Sequence, residues 1–275
     1  MTFSRLSFFL ILLVNSTSLA GEVKLTGNMI QGGLVFGWAP PETKIELDGV
    51  LIKQAETGDF LIGFSRDAQS NSKLVFFFKD GSSQNRLLSI RQRIYDIQRI
   101  NGLPKRKVIP NKKDLALIKT QTNQINNSRQ VLIMTPYFRA GFMQPAVGPV
   151  SGVFGSQRIL NGRKRRPHYG LDLAAPEGSP IRAASDGIII FTHDGMFFNG
   201  KTIIIDHGLG LRSTYIHMDS IGVKIGSKVK KGQIVGTVGK TGRATGPHLH
   251  WTVYLNKVRI NPELIIQEDF LKSLL

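Results

Sequence analysis

Apolar positions along the chain fall into three patterns. Residues 8–14 form one unbroken apolar run. From Glu22 to about Arg99, short apolar stretches at 34–38, 44–47, 60–64 and 73–78 alternate with the turn pairs Asp48-Gly49, Gly58-Asp59 and Asp80-Gly81. Such pairs accept the positive φ that tight turns between twisted strands require, so the segment predicts antiparallel hairpins. Residues 21–102 are therefore expected to form a small all-β domain resembling a sandwich, and it contains no histidine. From about Gly148 onward, Gly-rich turns again punctuate β-branched runs, at 187–191, 202–205, 212–217 and 233–236. This predicts a second β-rich domain over 136–275, so the fold class is mainly β.

Between the two lies Pro104-Lys105-Arg106-Lys107-Val108-Ile109-Pro110, which reads as a basic linker and solvated hinge. Asn111 can cap a helix with Asp114 at its third position, where a carboxylate suits the exposed N–H groups. The spacing predicts a connecting helix over 112–129 with Leu115, Ile118 and Ile125 as a loose apolar stripe. Linker and helix together occupy 103–135.

The first residues add a location. Residues 1–7 carry one Arg and no acid, the apolar run follows, and Ser18 and Ala20 place small residues where a processing enzyme needs them. This three-part layout predicts a secretory signal peptide, 1–20, cleaved after Ala20. The apolar run is well short of the ~20 residues of a membrane-spanning helix. The mature protein is expected in the periplasm or cell envelope, with no stable membrane insertion after cleavage. The net charge of +17 favours a polyanionic environment, whether nucleic acid, anionic lipid or an acidic wall polymer, and export argues against nucleic acid.

The chain has no cysteine, so disulfides and thiolate metal sites are excluded and any metal must be held by nitrogen and oxygen donors. All six histidines, at 168, 193, 207, 217, 248 and 250, fall in the second half. His248-Leu249-His250 follows Gly246-Pro247 and enters an apolar run. On a strand its two imidazoles share one face, roughly 6–7 Å apart. In Pro167-His168-Tyr169-Gly170-Leu171-Asp172, a loop entering a strand, the even spacing again places His168 and Asp172 on one face. Catalytic zinc takes three such ligands and keeps a position for water, so His168, Asp172 and one of His248 or His250 are candidate ligands. His217 ends a strand-like run and is expected to share a face with Tyr215; His193 and His207 read as surface turn residues. Arg163-Lys164-Arg165-Arg166 is a solvated loop or, beside an active site, an attractor of anionic substrate. Two nucleotide motifs fail: Ile234 stands where a phosphate loop ending at Gly239-Lys240-Thr241 needs Gly, and Ser213 stands where Gly208-Leu209-Gly210 needs its third Gly.

Together with Phe154-Gly155, Arg158, Ala183-Ala184-x-x-Gly187, Asp206-His207-Gly208, Tyr215-Ile216-His217 and Gly239-x-Thr241-Gly242-x-x-x-Gly246-Pro247, these motifs form an ordered set. Over about 148–262 it resembles the lysostaphin/LytM-type zinc endopeptidases, which cleave peptide cross-links in bacterial peptidoglycan. The resemblance implies a β-rich domain with a central antiparallel sheet and a groove holding Zn2+. It implies His168, Asp172 and His250 as metal ligands and His217 and His248 as a catalytic pair. That pair would orient and deprotonate a zinc-bound water, hydrogen-bond the developing oxyanion, or both. The implied function is an exported zinc metalloendopeptidase acting on peptidoglycan stem peptides or cross-links. The alternative is a non-catalytic wall-binding regulator that activates another cell-wall hydrolase, as in relatives that lost ligands; here all five positions are filled. Some latent relatives plug the metal with an upstream Asn, and Asn161 precedes His168 closely in sequence. Oligomeric state is not predicted.

Overall fold

The computed structural model describes residues 22–266, and the predicted signal peptide lies outside them. Seven strands open the described chain: β1 (Lys24–Gly27), β2 (Leu34–Trp38), β3 (Lys44–Leu47), β4 (Val50–Ile52), β5 (Asp59–Gly63), β6 (Asn71–Phe77) and β7 (Ser83–Ser89). They form an antiparallel sheet β1-β2-β5 and a second sheet β4-β3-β6-β7. The β3–β4 hairpin turns on Asp48 and Gly49, whose φ angles of 50° and 78° suit this two-residue turn. Val35, Phe60 and Ile62 of the first sheet meet Ile45, Leu74 and Phe76 of the second, giving a small sandwich core. The other face of β2 and β5 is buried as well. Leu34, Phe36 and Leu61 join the core of the second half, with Leu255 and Ile260. Gly63 permits this approach, because a Cβ there would lie 2.9 Å from Ile260 Cδ1.

The basic linker is docked against the protein and is not a solvated hinge. Strand β8 (Ile97–Ile100) leads into a short helix α1 (Lys105–Val108), and Leu103 and Val108 bury themselves with Leu160. Arg106 pairs with Asp114, and Lys107 stacks 4.1 Å from the centroid of the Phe197 ring. The apolar residues within this segment give it a surface to dock with, so its charge does not keep it in solvent. Helix α2 (Lys112–Ser128) starts with the reciprocal capping box expected of Asn111 and Asp114. Its apolar stripe is realised only at Ile125, which packs near Phe191, Met196 and Ile204. Leu115 is 54% exposed, whereas Gln121 is buried and accepts a hydrogen bond from Phe197 N at 2.8 Å. The helix therefore docks partly through polar pairing.

The remaining strands are β9 (Val150–Gly152), β10 (Gln157–Leu160), β11 (Arg163–Lys164), β12 (Leu171–Ala174), β13 (Pro180–Arg182), β14 (Gly187–Met196), β15 (Gly200–Asp206), β16 (Leu211–Ile221), β17 (Lys228–Val229), β18 (Ile234–Val238), β19 (His248–Leu255) and β20 (Val258–Ile260). Ten of these form the expected large antiparallel sheet, with the path β17-β14-β15-β16-β19-β12-β9 and with β13, β18 and β20 paired to its sides. Strand β15 shows why its apolar run is unbroken: Ile203 and Ile205 face the main core, while Ile204 faces Phe191 and Met196. Strand β8 instead pairs in parallel with β10, so it brings residues from the first half beside the histidine-bearing strands. No helix among the described residues is long and apolar enough to cross a membrane.

Candidate active site

Adjacent strands β12 and β19 carry the centre of the site. Asp172 lies opposite His250, and Ala174 lies opposite His248. Alternation along β19 sends Leu249 and Trp251 into the core and both histidines to the opposite face. His168 enters from the coil before β12, fixed by its N–H donating to Ser156 O at 2.8 Å and its carbonyl accepting from Gly155 N at 2.7 Å. The donor atoms then converge. His168 Nε2 is 3.1 Å from Asp172 Oδ1, His250 Nδ1 is 2.5 Å from the same oxygen, and the two nitrogens are 2.9 Å apart. Zinc–ligand distances of about 2.0–2.2 Å imply donor separations of about 3.3 Å in a tetrahedron, so a small ion needs only slight spreading of the three. Of the two candidates on β19, His250 completes the cluster; His248 Nε2 stands 3.9 Å from Asp172 Oδ1.

Surrounding groups set the orientation of each donor. The Nδ1–H of His168 faces Val153 O at 2.9 Å, a tautomer that leaves Nε2 free for a metal. Arg158 Nη2 donates to Asp172 Oδ2 at 2.7 Å, and Arg158 Nε donates to Gln98 Oε1 at 3.0 Å. His217 and His248 are fixed the same way, by Nδ1 contacts of 2.7 Å to Thr241 O and 2.9 Å to Gly246 O. Their ring centroids are 4.9 Å apart, and that of His217 is 6.2 Å from His250. Burial pushes His217 down to about 3 and His250 down to about 4, so both imidazoles are neutral near pH 7. Burial opposes ionisation of Asp172, but the charge that His250 takes up at acid pH and hydrogen bonds from His168 and His250 outweigh it and hold the carboxyl well below its usual range.

His217 reaches this face by an irregularity. Lys201 pairs with Met218 and Ile203 pairs with Tyr215, so Ile216 and His217 together oppose the single residue Thr202. The resulting bulge puts His217 at φ 64°, a left-handed conformation unusual for a non-glycine residue. Tyr215 stays in the core and His217 turns to the groove, so the two do not share a face as simple alternation predicts.

Two further expectations change. His207 is fully buried, not a surface turn residue: it sits 2.7 Å from both Asp186 O and Ser213 Oγ, because the 3-10 turn Tyr137–Ala140 and the core cover it. His193 lies half-buried on β14, where its Nδ1 accepts from Gly195 N at 2.9 Å, apart from the cluster. Asn161 is occupied with Leu103, donating to its carbonyl at 2.7 Å and accepting from its N–H at 3.2 Å.

A groove of about 320 Å³ opens beside the cluster, with Asp172, His217 and His248 on one side and Gln98, Ile100 and Leu103 on the other. The second wall carries no motif, because it depends on the parallel pairing of β8 with β10; Arg158 belongs to the ordered motif set, but its place behind Asp172 is visible only in the fold. Gly152 and Gly170 are required by crowding. A Cβ at Gly152 would stand 2.4 Å from Asp172 Oδ2, and one at Gly170 would stand 2.8 Å from His250 Cε1.

A His/Asp/His cluster beside a groove, with two more imidazoles on the same face of a β-sheet, has the make-up of a metallopeptidase domain. Residues 166–262 match the model of peptidase family M23. Two Vibrio cholerae relatives, named peptidoglycan DD-endopeptidases ShyC and ShyA, are 41% and 37% identical to the chain over 118 and 113 residues. Those regions cover 42% and 41% of this chain but only 27% and 26% of the relatives, about a quarter of their length. The crystal structure of a Pseudomonas aeruginosa protein described as a peptidase M23 matches with a TM-score of 0.66 and 29% identity, covering 87% of this chain and 95% of that one. The chain carries an M23 peptidase domain of the lysostaphin/LytM type.

Proposed function

We propose that the protein is an exported zinc endopeptidase that hydrolyses peptide bonds in the stem peptides or cross-links of peptidoglycan. The carrying observation is the convergence of His168, Asp172 and His250 on one point beside His217 and His248. Two imidazole nitrogens and one carboxylate oxygen suit zinc, and three protein donors match a catalytic site that keeps a position for water. Bound by these residues, zinc would supply a Lewis acid and lower the pKa of its water. His217 and His248 each direct Nδ1 to a backbone carbonyl, so each has Nε2 available toward the groove. One would take the proton of the attacking water and later return it to the departing amine. The other would hydrogen-bond the developing oxyanion only as an imidazolium, with a proton on Nε2 as well as on Nδ1. The names of the relatives and the basic charge support an acidic wall polymer as substrate, and the layout of residues 1–20 supports export to the periplasm or cell envelope.

The test is digestion of purified sacculi by the mature protein, with released muropeptides analysed before and after chelation. Zinc-dependent release that His168→Ala abolishes is the expected result. No release with zinc restored would overturn the proposal. Sacculus binding without zinc, with function unchanged when His217 and His248 are both replaced, would favour the wall-binding regulator instead.

A further inference from the structure

Arg243 lies in the loop joining β18 to β19 and lines the same groove as Asp172, His217 and His248. The loop is clamped: Gly242 has φ 77°, and a Cβ there would lie 2.4 Å from Gly200 N and 2.5 Å from Phe198 O. Arg243 N donates to Phe198 O at 2.8 Å, and the guanidinium rests 4.3 Å from the centroid of the Phe198 ring. Backbone and stem are thus fixed before any ligand arrives, while among the described residues the only polar contact of the head group is a long one, 3.4 Å, to Lys107 O.

The charged groups acting on this head group are cations. Burial pushes Arg243 down to about 10, and Arg158 and Arg165 push in the same direction. Arg158 is engaged with Asp172. Arg165 donates Nη2 to Val108 O at 2.7 Å, and its buried Nε has no partner. Among the described residues, neither Arg243 nor Arg165 is paired with a carboxylate. Burying unpaired guanidinium groups is costly, and this cost falls beside the reacting groups, where a ligand would supply the counter-charge. The planar fork of arginine matches a carboxylate with two parallel hydrogen bonds.

We propose that Arg243, backed by Arg165, forms a carboxylate subsite that recognises a free carboxylate of the peptide near its scissile bond. This gives the groove a preference for acidic peptides, and it rests on the endopeptidase reading only for the hydrolysis of the bound peptide.

The zinc-loaded protein should be titrated with a synthetic stem peptide carrying free carboxylates and with the same peptide fully converted to carboxamides. The wild type is expected to bind the acidic form at least tenfold more tightly. Arg243→Gln should reduce that preference to within twofold at unchanged zinc content, and Arg243→Lys should keep part of it. Equal binding of the two peptides by the wild type, or an undiminished preference in Arg243→Gln, overturns the subsite. The wild-type comparison needs no variant, so a variant that fails to fold does not shield the idea. Failure of sacculus digestion alongside a retained preference would sink the endopeptidase reading alone; digestion without a preference would sink the subsite alone.

Discussion

Arg158 and Asp172 divide one carboxylate between two tasks: Oδ2 accepts from Arg158 Nη2 at 2.7 Å, while Oδ1 faces His168 and His250 at 3.1 and 2.5 Å. The arginine leaves a single oxygen for a metal and fixes its direction. Groups of this kind typically contribute 10–100-fold to metal affinity. Arg158→Gln is therefore expected to weaken zinc binding by about 10–100-fold, measured by competition with a chromogenic chelator, and Arg158→Lys should retain part of the affinity. An unchanged affinity in Arg158→Gln would mean that Asp172 needs no such support.

The two histidines of β19 should separate by assay. His250→Ala removes a donor from the cluster and is expected to lose metal and peptidase activity together. His248→Ala leaves all three donors in place, so zinc content should remain near that of the wild type while kcat falls about 10²–10⁴-fold, the usual scale for removing a proton-transfer group. Metal analysis alongside single-turnover kinetics checks both, and loss of zinc from His248→Ala would contradict the division.

Features set by near neighbours in sequence were legible from sequence. The Asn111–Asp114 cap, the Asp48-Gly49 hairpin and the shared face of His248 and His250 each depend on residues within one turn or one strand. The orientation of His217 was not legible, because it arises from two residues of β16 opposing Thr202 on β15, a register that no local pattern encodes. His207 shows the same limit. Its turn-like sequence is real, but the segment Tyr137–Ala140 lies over it. What covers the second face of β2 was equally hidden, since the unbroken run Leu34-Val35-Phe36 signals burial on both faces but not which distant element supplies the cover.

Gly152 offers a probe of crowding behind the carboxylate. Its Cα lies so near Asp172 that an added methyl group would stand 2.4 Å from Oδ2, closer than unbonded atoms tolerate. Gly152→Ala should push the carboxylate from Arg158 and lower zinc affinity about tenfold, equivalent to about 1.4 kcal/mol. Gly195 has nothing within 4 Å of the corresponding position and has no positive φ, so Gly195→Ala serves as the control. Zinc titration of the two variants side by side should show the loss only in Gly152→Ala.

His207 should make folding stability depend on pH. Burial pushes it down to about 4 in the folded protein, against 6.5 for the ordinary residue. As pH falls below about 6.5 the unfolded chain takes up a proton that the folded chain does not accept until about pH 4. The unfolded state therefore gains, and stability declines across that window, with no contribution from this residue above it. A depression of this size amounts to about 3 kcal/mol by pH 4. His207→Gln removes the titrating group, so it should start less stable at pH 7, having lost the bonds to Asp186 O and Ser213 Oγ, yet decline less on acidification. Urea midpoints at pH 7 and pH 4.5 measure the difference. His217 and His250 titrate in both proteins and cancel in the comparison, so parallel declines would show that His207 is protonated as readily folded as unfolded.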